Sequence, residues 1–469
     1  MEDPMNPFPL RPALPRLVWL LALALLCTGV HAAPKNIIIL FADGAAPTQW
    51  ELGRYASRVL RNQPFVVTDR VFRDGSLGLL STHPAGVYVT DSAAGASAMA
   101  TGFKARNGAV SVTPDGGRPR TVMEAAKQAG KRIGLVTTAQ IYDASPAAFS
   151  VHADTRDEAQ SIVDQYLALE PDVLLGGGRD FFLPQAAGGK RNDGKDMLAA
   201  FAAKGYAILR DPQQLREAKA AKLVGLFSEK ELELEIDRDP AREPTLADMT
   251  RAAFQALTRD TGSGSDRGFV LFAENENTDE AGHKNDIAAL IRALWAFDDA
   301  VAVALEFQKD NPDTLLIVAA DHETGGLSAT YARSELSGAS SLVIVGPKEF
   351  ERVMRIDASL DSVAAKLGPR PSPALLEALV ARHFPGFTLD ADLREAILQQ
   401  RPLERNFGYT TQTNLARMIA RQTGFYWGSS GHTTEPVAVG AMGPGAERFR
   451  GYADNAEFGK RLLQLIEGR

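Results

Sequence analysis

The sequence predicts an α/β fold: a large, mainly parallel central β-sheet with helices on both faces, interrupted late in the chain by a mostly helical insertion. Three observations predict it. Apolar runs rich in Ile, Val and Leu alternate with segments of helical period. Carboxylates and imidazoles recur just past the ends of those runs, where open α/β sheets bind their ligands. From about residue 330 to 430 the alternation stops, and polar, helical segments with punctuation such as Gly368-Pro369-Arg370-Pro371 take over.

The chain opens on a targeting signal. Arg11 and Arg16 precede the apolar run Leu17–Val30, and small residues frame Val30-His31-Ala32. That order reads as a secretory signal peptide over residues 1–32, cleaved after Ala32. The run is short of the roughly 20 residues that a membrane span needs. The expected destination is the periplasm or the exterior, with no stable membrane association.

Strands are expected at Asn36–Ala42, Arg132–Thr137, Asp172–Leu175, Gly268–Ala273, Thr314–Ala319 and Val437–Met442. Helices are expected at Pro47–Leu60, Ser92–Thr101, Thr121–Ala129, Arg156–Leu169, Thr245–Leu257, Asp286–Phe307 and Asp454–Ile466. Residues 33–329 and 431–469 then form one sheet-based unit, with 330–430 inserted over one end of the sheet.

Composition removes several function classes. The 469 residues are 45% hydrophobic and 23% charged, which is globular usage and not that of a disordered chain. The net charge of −7 leaves no basic surplus to hold a nucleic-acid backbone. The one cysteine, Cys27, lies in the leader, so disulfides, Cys-bound zinc and a cysteine nucleophile are excluded beyond it. Six histidines follow the leader: His83, His152, His283, His322, His383 and His432.

Four strands end in ligand chemistry. The first runs into Asp43-Gly44 and the second leads to Asp143 and Ser145. The fourth runs into Glu274, Asp279 and His283, and the fifth into Asp321-His322. Any one of these is ordinarily a cap or turn residue. Together they suit a polynuclear metal site. Asp279 and His283 are four apart, which places both on one face of a helical turn. His and carboxylate donors favour zinc, whereas an oxygen-only set suits Mg²⁺. Asp91-Ser92 opens a run of small residues that reads as a helix start; a lone pair of this kind is a cap, but a serine there also faces an anion-binding helix terminus. A metal could activate such a serine. Arg156 offers a fork for two phosphoryl oxygens, or is simply a surface residue at a helix start.

These residues resemble the alkaline phosphatase family, from about Lys35 to Arg469. The resemblance rests on Phe41-Ala42-Asp43-Gly44, on Val89–Val110 with Thr101-Gly102-Phe103-Lys104 and Asn107-Gly108-Ala109, and on Ala139–Arg156. It continues through Leu175-Gly176-Gly177-Gly178-Arg179, Glu274–His283, Ala320–His322 and Gly431-His432-Thr433. It implies metal-dependent hydrolysis of small phosphate monoesters through a phosphoserine, with two Zn²⁺ and one Mg²⁺ per chain. Carried over by position, Ser92 is the nucleophile. Asp279, His283 and His432 bind the first zinc, and Asp43, Asp321 and His322 the second, beside Ser92. Asp43 bridges to Mg²⁺, held with Ser145 and Glu274. Arg156 clamps phosphate with Asp91 orienting it, and Asp143 stands behind the Mg²⁺ ligands. The resemblance also implies a possible homodimer and a cap- or crown-like role for residues 330–430.

Several positions depart from the family pattern. Ser145 stands where many relatives have threonine, which keeps the hydroxyl. Ala45-Ala46 replaces the common Met-Gly. Glu280 stands where several bacterial relatives have a cationic or aromatic residue, so an acid there could repel phosphate or rearrange the metals through a charge partner. His152, beside the Arg156 motif, reads as a hydrogen-bonded structural histidine. Two alternatives remain. One is a phosphodiesterase or narrow-substrate phosphatase of the same superfamily, although the serine helix, Arg156 and the Mg²⁺ set favour the monoesterase. The other is a non-catalytic phosphate- or metal-binding periplasmic protein, which would be expected to lack part of the nucleophile and ligand set; no part is missing.

Overall fold

The computed structural model describes residues 33–260, 267–334 and 341–468, so the expected signal peptide lies outside the described residues. Ten strands form one sheet. From one edge to the other they are Gly451–Asp454, Ser76–Ser81, Val437–Met442, Thr314–Ala319, Asn36–Ala42, Phe269–Asn275, Arg132–Gln140, Val173–Gly177, Leu223–Leu226 and Ala207–Leu209. Neighbours pair in parallel except at Val437–Met442, which is antiparallel to both of its neighbours.

The Asn36–Ala42 strand sits near the middle and is buried along its length. Its side chains alternate between two layers, as a strand covered on both faces must. Ile38, Leu40 and Ala42 join Trp50, Phe254 and Phe297 from helices on one face. Ile37, Ile39 and Phe41 join Ala96, Met99, Ile162 and Phe458 from helices on the other. The helix Ser92–Thr101 is buried along its whole length, which explains its run of Ala, Gly and Ser. Residues of that size let it lie close against the helices Asn455–Ile466 and Ala144–Ala148.

Four strands of this sheet were not expected. Ala207–Leu209, Leu223–Leu226 and Gly451–Asp454 are too short to show a period. Ser76–Ser81 alternates between buried and exposed and puts Leu77 and Leu79 on the exposed side, which blurs its pattern. The expected helix Pro47–Leu60 ends as α-helix at Ala56 and continues as π-helical turns over Ser57–Arg61. The helix expected from Arg156 begins at Ala159. Arg156 is held in a turn instead, because its N–H donates to the Gly108 carbonyl at 2.7 Å.

The insertion is mostly helical, with Pro347–Val353, Leu360–Leu367, Pro373–His383, Ala391–Leu398 and Thr410–Thr423. It also holds an unexpected hairpin, Tyr331–Ser334 with Ser341–Ile344. Leu327–Ala329 pairs antiparallel with Phe425–Trp427 at its base. A second short ladder, Glu323–Thr324 with His432–Thr433, then returns the chain to the sheet end.

Candidate active site

Strand ends bring the expected residues to one place. Asp43 follows the central strand, and Glu274 lies in the last turn of the neighbouring strand Phe269–Asn275. Asp279 and His283 share the short helix Asn277–His283, one turn apart. Asp321 and His322 follow Thr314–Ala319. Gly44 turns the chain with φ +74°, and a Cβ there would lie 2.8 Å from both Asp279 Oδ1 and Thr324 Oγ1. Glycine is therefore required by conformation and by the close approach.

Two groups of three residues that could hold a metal ion result: Asp279, His283 and His432, and Asp43, Asp321 and His322. In the first, His283 Nε2 is 3.0 Å from Asp279 Oδ2 and 3.1 Å from His432 Nε2. Each of these two histidines is oriented through its other nitrogen. His283 Nδ1 donates to the Ser430 carbonyl at 2.7 Å, and His432 Nδ1 to the Thr90 carbonyl at 2.8 Å. This turns both Nε2 atoms inward, as metal-binding imidazoles are commonly held. In the second group, His322 Nε2 lies 3.3 Å from both Asp43 Oδ1 and Asp321 Oδ2. The His322 and His432 rings stack at 3.6 Å, so the two groups adjoin.

Ser92 opens its helix and is buried, with Oγ 3.1 Å from His322 Nε2. Ser145 Oγ donates to Asp43 Oδ2 at 3.4 Å, which places the oxygen-only residues Ser145, Asp43 and Glu274 together behind the second group. Arg156 Nη2 donates to Asp143 Oδ1 at 2.8 Å. Asp143 first, with Asp91 and Asp43 behind it, holds the guanidinium above its ordinary value. Asp91 was expected to orient Arg156. Its carboxylate caps the serine helix, accepting from the Ala94 N–H at 2.9 Å and from the Gly108 N–H at 2.7 Å. It acts on Arg156 through charge and through the Gly108 backbone.

Electrostatics sort the two groups. Burial, reinforced by neighbouring carboxylates, pushes Asp43 well above the usual range and Asp321 to about 8. Burial likewise takes Glu274 to about 8, against the hydroxyls of Thr137 and Ser145. Burial alone would raise Asp279 too, but the charges of His283, His432 and His322 hold it well below. Asp279 overcomes burial at His283 and raises it to about 9. Burial, then His432, drives His322 well below its ordinary value.

Some contributors were not foreseen. Thr324 Oγ1 donates to Asp279 Oδ1, and Thr137 Oγ1 donates to Glu274 Oε2 at 2.5 Å. Thr324 was within reach of the sequence, two residues past His322 on the same chain segment. The carbonyls of Thr90 and Ser430 carry no residue-type signal at all. Glu280 has the charge partner that its chemistry called for: it pairs with Lys284 on the next turn. His152 is held by the Ser111 carbonyl at 2.8 Å and by Glu124 at 3.2 Å, as a structural histidine is.

Residues 34–467 match the family model for alkaline phosphatase. The chain belongs to the alkaline phosphatase family. It is 31% identical to alkaline phosphatase 3 of Bacillus subtilis (strain 168) over 441 residues, covering 92% of this chain and 89% of that one. Among solved structures it is similar to Thermus thermophilus alkaline phosphatase, with TM-score 0.82, 28% identity, and 93% and 92% of the two chains covered. It is also similar to the cold-active alkaline phosphatase of Shewanella sp., with TM-score 0.74, 32% identity, and 92% and 99% covered. The enzyme is a phosphatase that hydrolyses phosphate monoesters. Among its described residues no helix is long and apolar enough to cross a membrane.

Proposed function

We propose that this phosphatase works through a covalent phosphoserine on Ser92, at a centre for two zinc ions and one magnesium ion per chain. Asp279, His283 and His432 would hold one zinc, and Asp43, Asp321 and His322, with Ser92 Oγ, the other. Asp43, Ser145 and Glu274 would hold magnesium. The donor sets suit those ions, imidazole with carboxylate for zinc and oxygen alone for magnesium. One observation carries the reading. Asp43 Oδ1, Asp321 Oδ2 and Glu274 Oε1 are buried and have no hydrogen-bond partner among the described residues. Three unpartnered carboxylate oxygens packed together are costly to bury unless a cation compensates them.

When bound, the metals supply positive charge that polarises the phosphoryl group and lowers the pKa of a hydroxyl or water beside it. Ser92 Oγ attacks phosphorus, forming the seryl ester while the bond to the leaving oxygen breaks. Water then cleaves that ester, restoring the Ser92 hydroxyl and releasing inorganic phosphate. Arg156, held by Asp143, turns its N–H groups onto the phosphoryl oxygens through both steps. The helix terminus behind Ser92 adds its own favourable field. Residues 330–430 cover one side of the approach, and the signal peptide over residues 1–32 directs the enzyme out of the cytoplasm.

The test combines metal content with turnover on one purified sample. Zinc near two and magnesium near one per chain are expected, with p-nitrophenyl phosphate hydrolysed far faster than bis-p-nitrophenyl phosphate. Acid quenching with a phosphate donor should add one phosphoryl group, mapped by mass spectrometry to Ser92. Ser92→Ala should lose that label and keep the metals. A labelled Ser92→Ala protein, or dominant diester turnover, would overturn the assignment.

A further inference from the structure

Thr324 is almost fully buried and stands between the two ligand groups. Its hydroxyl donates to Asp279 Oδ1 of the first group. The same oxygen lies 3.2 Å from His322 Nδ1 of the second. Its backbone is paired opposite His432 in the short ladder that brings that residue home, and its N–H donates to the Gly44 carbonyl at 3.1 Å. Gly44 and Gly282 both come so close that an added Cβ would lie within 2.9 Å of Thr324 atoms. The side chain is thus fixed from several sides.

A hydroxyl has one proton. The Thr324 hydroxyl donates to Asp279 Oδ1, so its one proton is committed there. Its oxygen must then accept from His322 Nδ1. That requires a proton on Nδ1 and leaves the Nε2 lone pair free. The surroundings of Nε2 agree. Ser92 Oγ, at 3.1 Å, can donate to it. Asp43 Oδ1 and Asp321 Oδ2 lie 3.3 Å away, and neither oxygen has a hydrogen-bond donor among the described residues. A nitrogen lone pair beside a hydroxyl and two unpartnered carboxylate oxygens is the arrangement a cation needs.

We propose that Thr324 is a positioning residue: through one hydroxyl it locks His322 as the Nδ1–H tautomer, aims Asp279, and so couples the two metal half-sites. This rests on the two-zinc reading above. His322 and His432 orient through different means, since the former uses a side-chain hydroxyl where His283 and His432 use backbone carbonyls. His322 is therefore the one of these three histidines whose ring a single side-chain change can mis-set.

The experiment uses the full-length enzyme in three forms: wild type, Thr324→Val and Thr324→Ser. Nitrogen-15 NMR of labelled histidine, assigned with a His322 variant, reads the tautomer in the metal-free protein. Competition with a chelator reads zinc affinity. Wild type and Thr324→Ser should show His322 as Nδ1–H. Thr324→Val should move the proton partly to Nε2 and weaken zinc binding by about 10- to 100-fold, the usual effect of losing such a partner. Wild-type His322 in the Nε2–H form would overturn the proposal, and so would Thr324→Val with wild-type zinc affinity. If Thr324→Val does not fold, the wild-type tautomer still decides. A wild-type chain that takes up no zinc would sink the metal reading, and the tautomer would still judge Thr324 separately.

Discussion

Asp91 and Arg156 meet at the backbone of Gly108. The Asp91 carboxylate accepts the Gly108 N–H at 2.7 Å, and the Arg156 N–H donates to the Gly108 carbonyl, also at 2.7 Å. The residue that caps the serine helix therefore also sets the loop that carries Arg156, the proposed phosphate clamp. Asp91→Ala should cost about 1 kcal/mol of stability from the lost cap. It should also raise KM for a monoester by misplacing Arg156. Asp91→Asn keeps one acceptor for Ala94 but offers no second one of equal quality to Gly108, so it should raise KM with a smaller loss of stability. Denaturant unfolding and steady-state kinetics separate the two effects; an unchanged KM in both variants would refute the linkage.

Metal removal should make stability depend on pH. With burial raising Asp321 and Glu274 to about 8, and Asp279 raising His283 to about 9, the folded metal-free chain keeps protons that the unfolded chain has lost above neutrality. The unfolded values are near 4 for the carboxyls and about 6.5 for histidine. Folded values raised above these give stability that is present at lower pH and lost as pH rises through them. Each extra bound proton is worth up to about 1.4 kcal/mol per pH unit in that window. The chelated enzyme should therefore melt at progressively lower temperature from pH 7 to 9, and the metal-loaded enzyme should not. A flat profile for the chelated form would count against the buried carboxylates.

Glu280 does not act as a bare negative charge. Lys284, only 8% exposed, pairs with it, approaches Asp361 at 3.8 Å and lies 4.2 Å from the centre of the Tyr409 ring. Lys284→Met should leave Glu280 unopposed beside the ligand helix and raise KM for a monoester. Adding Glu280→Gln should recover much of that loss. The double-mutant cycle should show coupling of about 0.5–3 kcal/mol. Additive effects would mean that the pair acts only on the insertion.

Gly44 admits no side chain. Gly44→Ala places a Cβ against Asp279 and Thr324 in a left-handed conformation. A cost of about 1–3 kcal/mol is expected from the backbone alone. Zinc content after dialysis should fall as well, because the nearest atom is a ligand oxygen. Wild-type zinc retention would show that the neighbours can give way.

The sheet centre and the residues of the candidate metal sites were legible because each lies in, or just past, a buried apolar run. Asp43, Glu274, Asp321 and His322 are examples. The two strands at one end of the sheet escaped notice because Ser76–Ser81 and Gly451–Asp454 leave apolar residues in water. The route by which Asp91 reaches Arg156 was not legible, since an N-cap and an arginine partner draw on the same carboxylate, and only the fold shows which donors reach it. The tautomer-setting carbonyls of Thr90 and Ser430 depend on long-range placement and leave no mark in the side-chain sequence.

His283 and His432 are 149 residues apart in the sequence, yet their Nε2 atoms lie 3.1 Å apart. A metal ion held by both would close that long loop across residues 330–430. With Cys27 the one cysteine of the sequence, no disulfide could close it in its place.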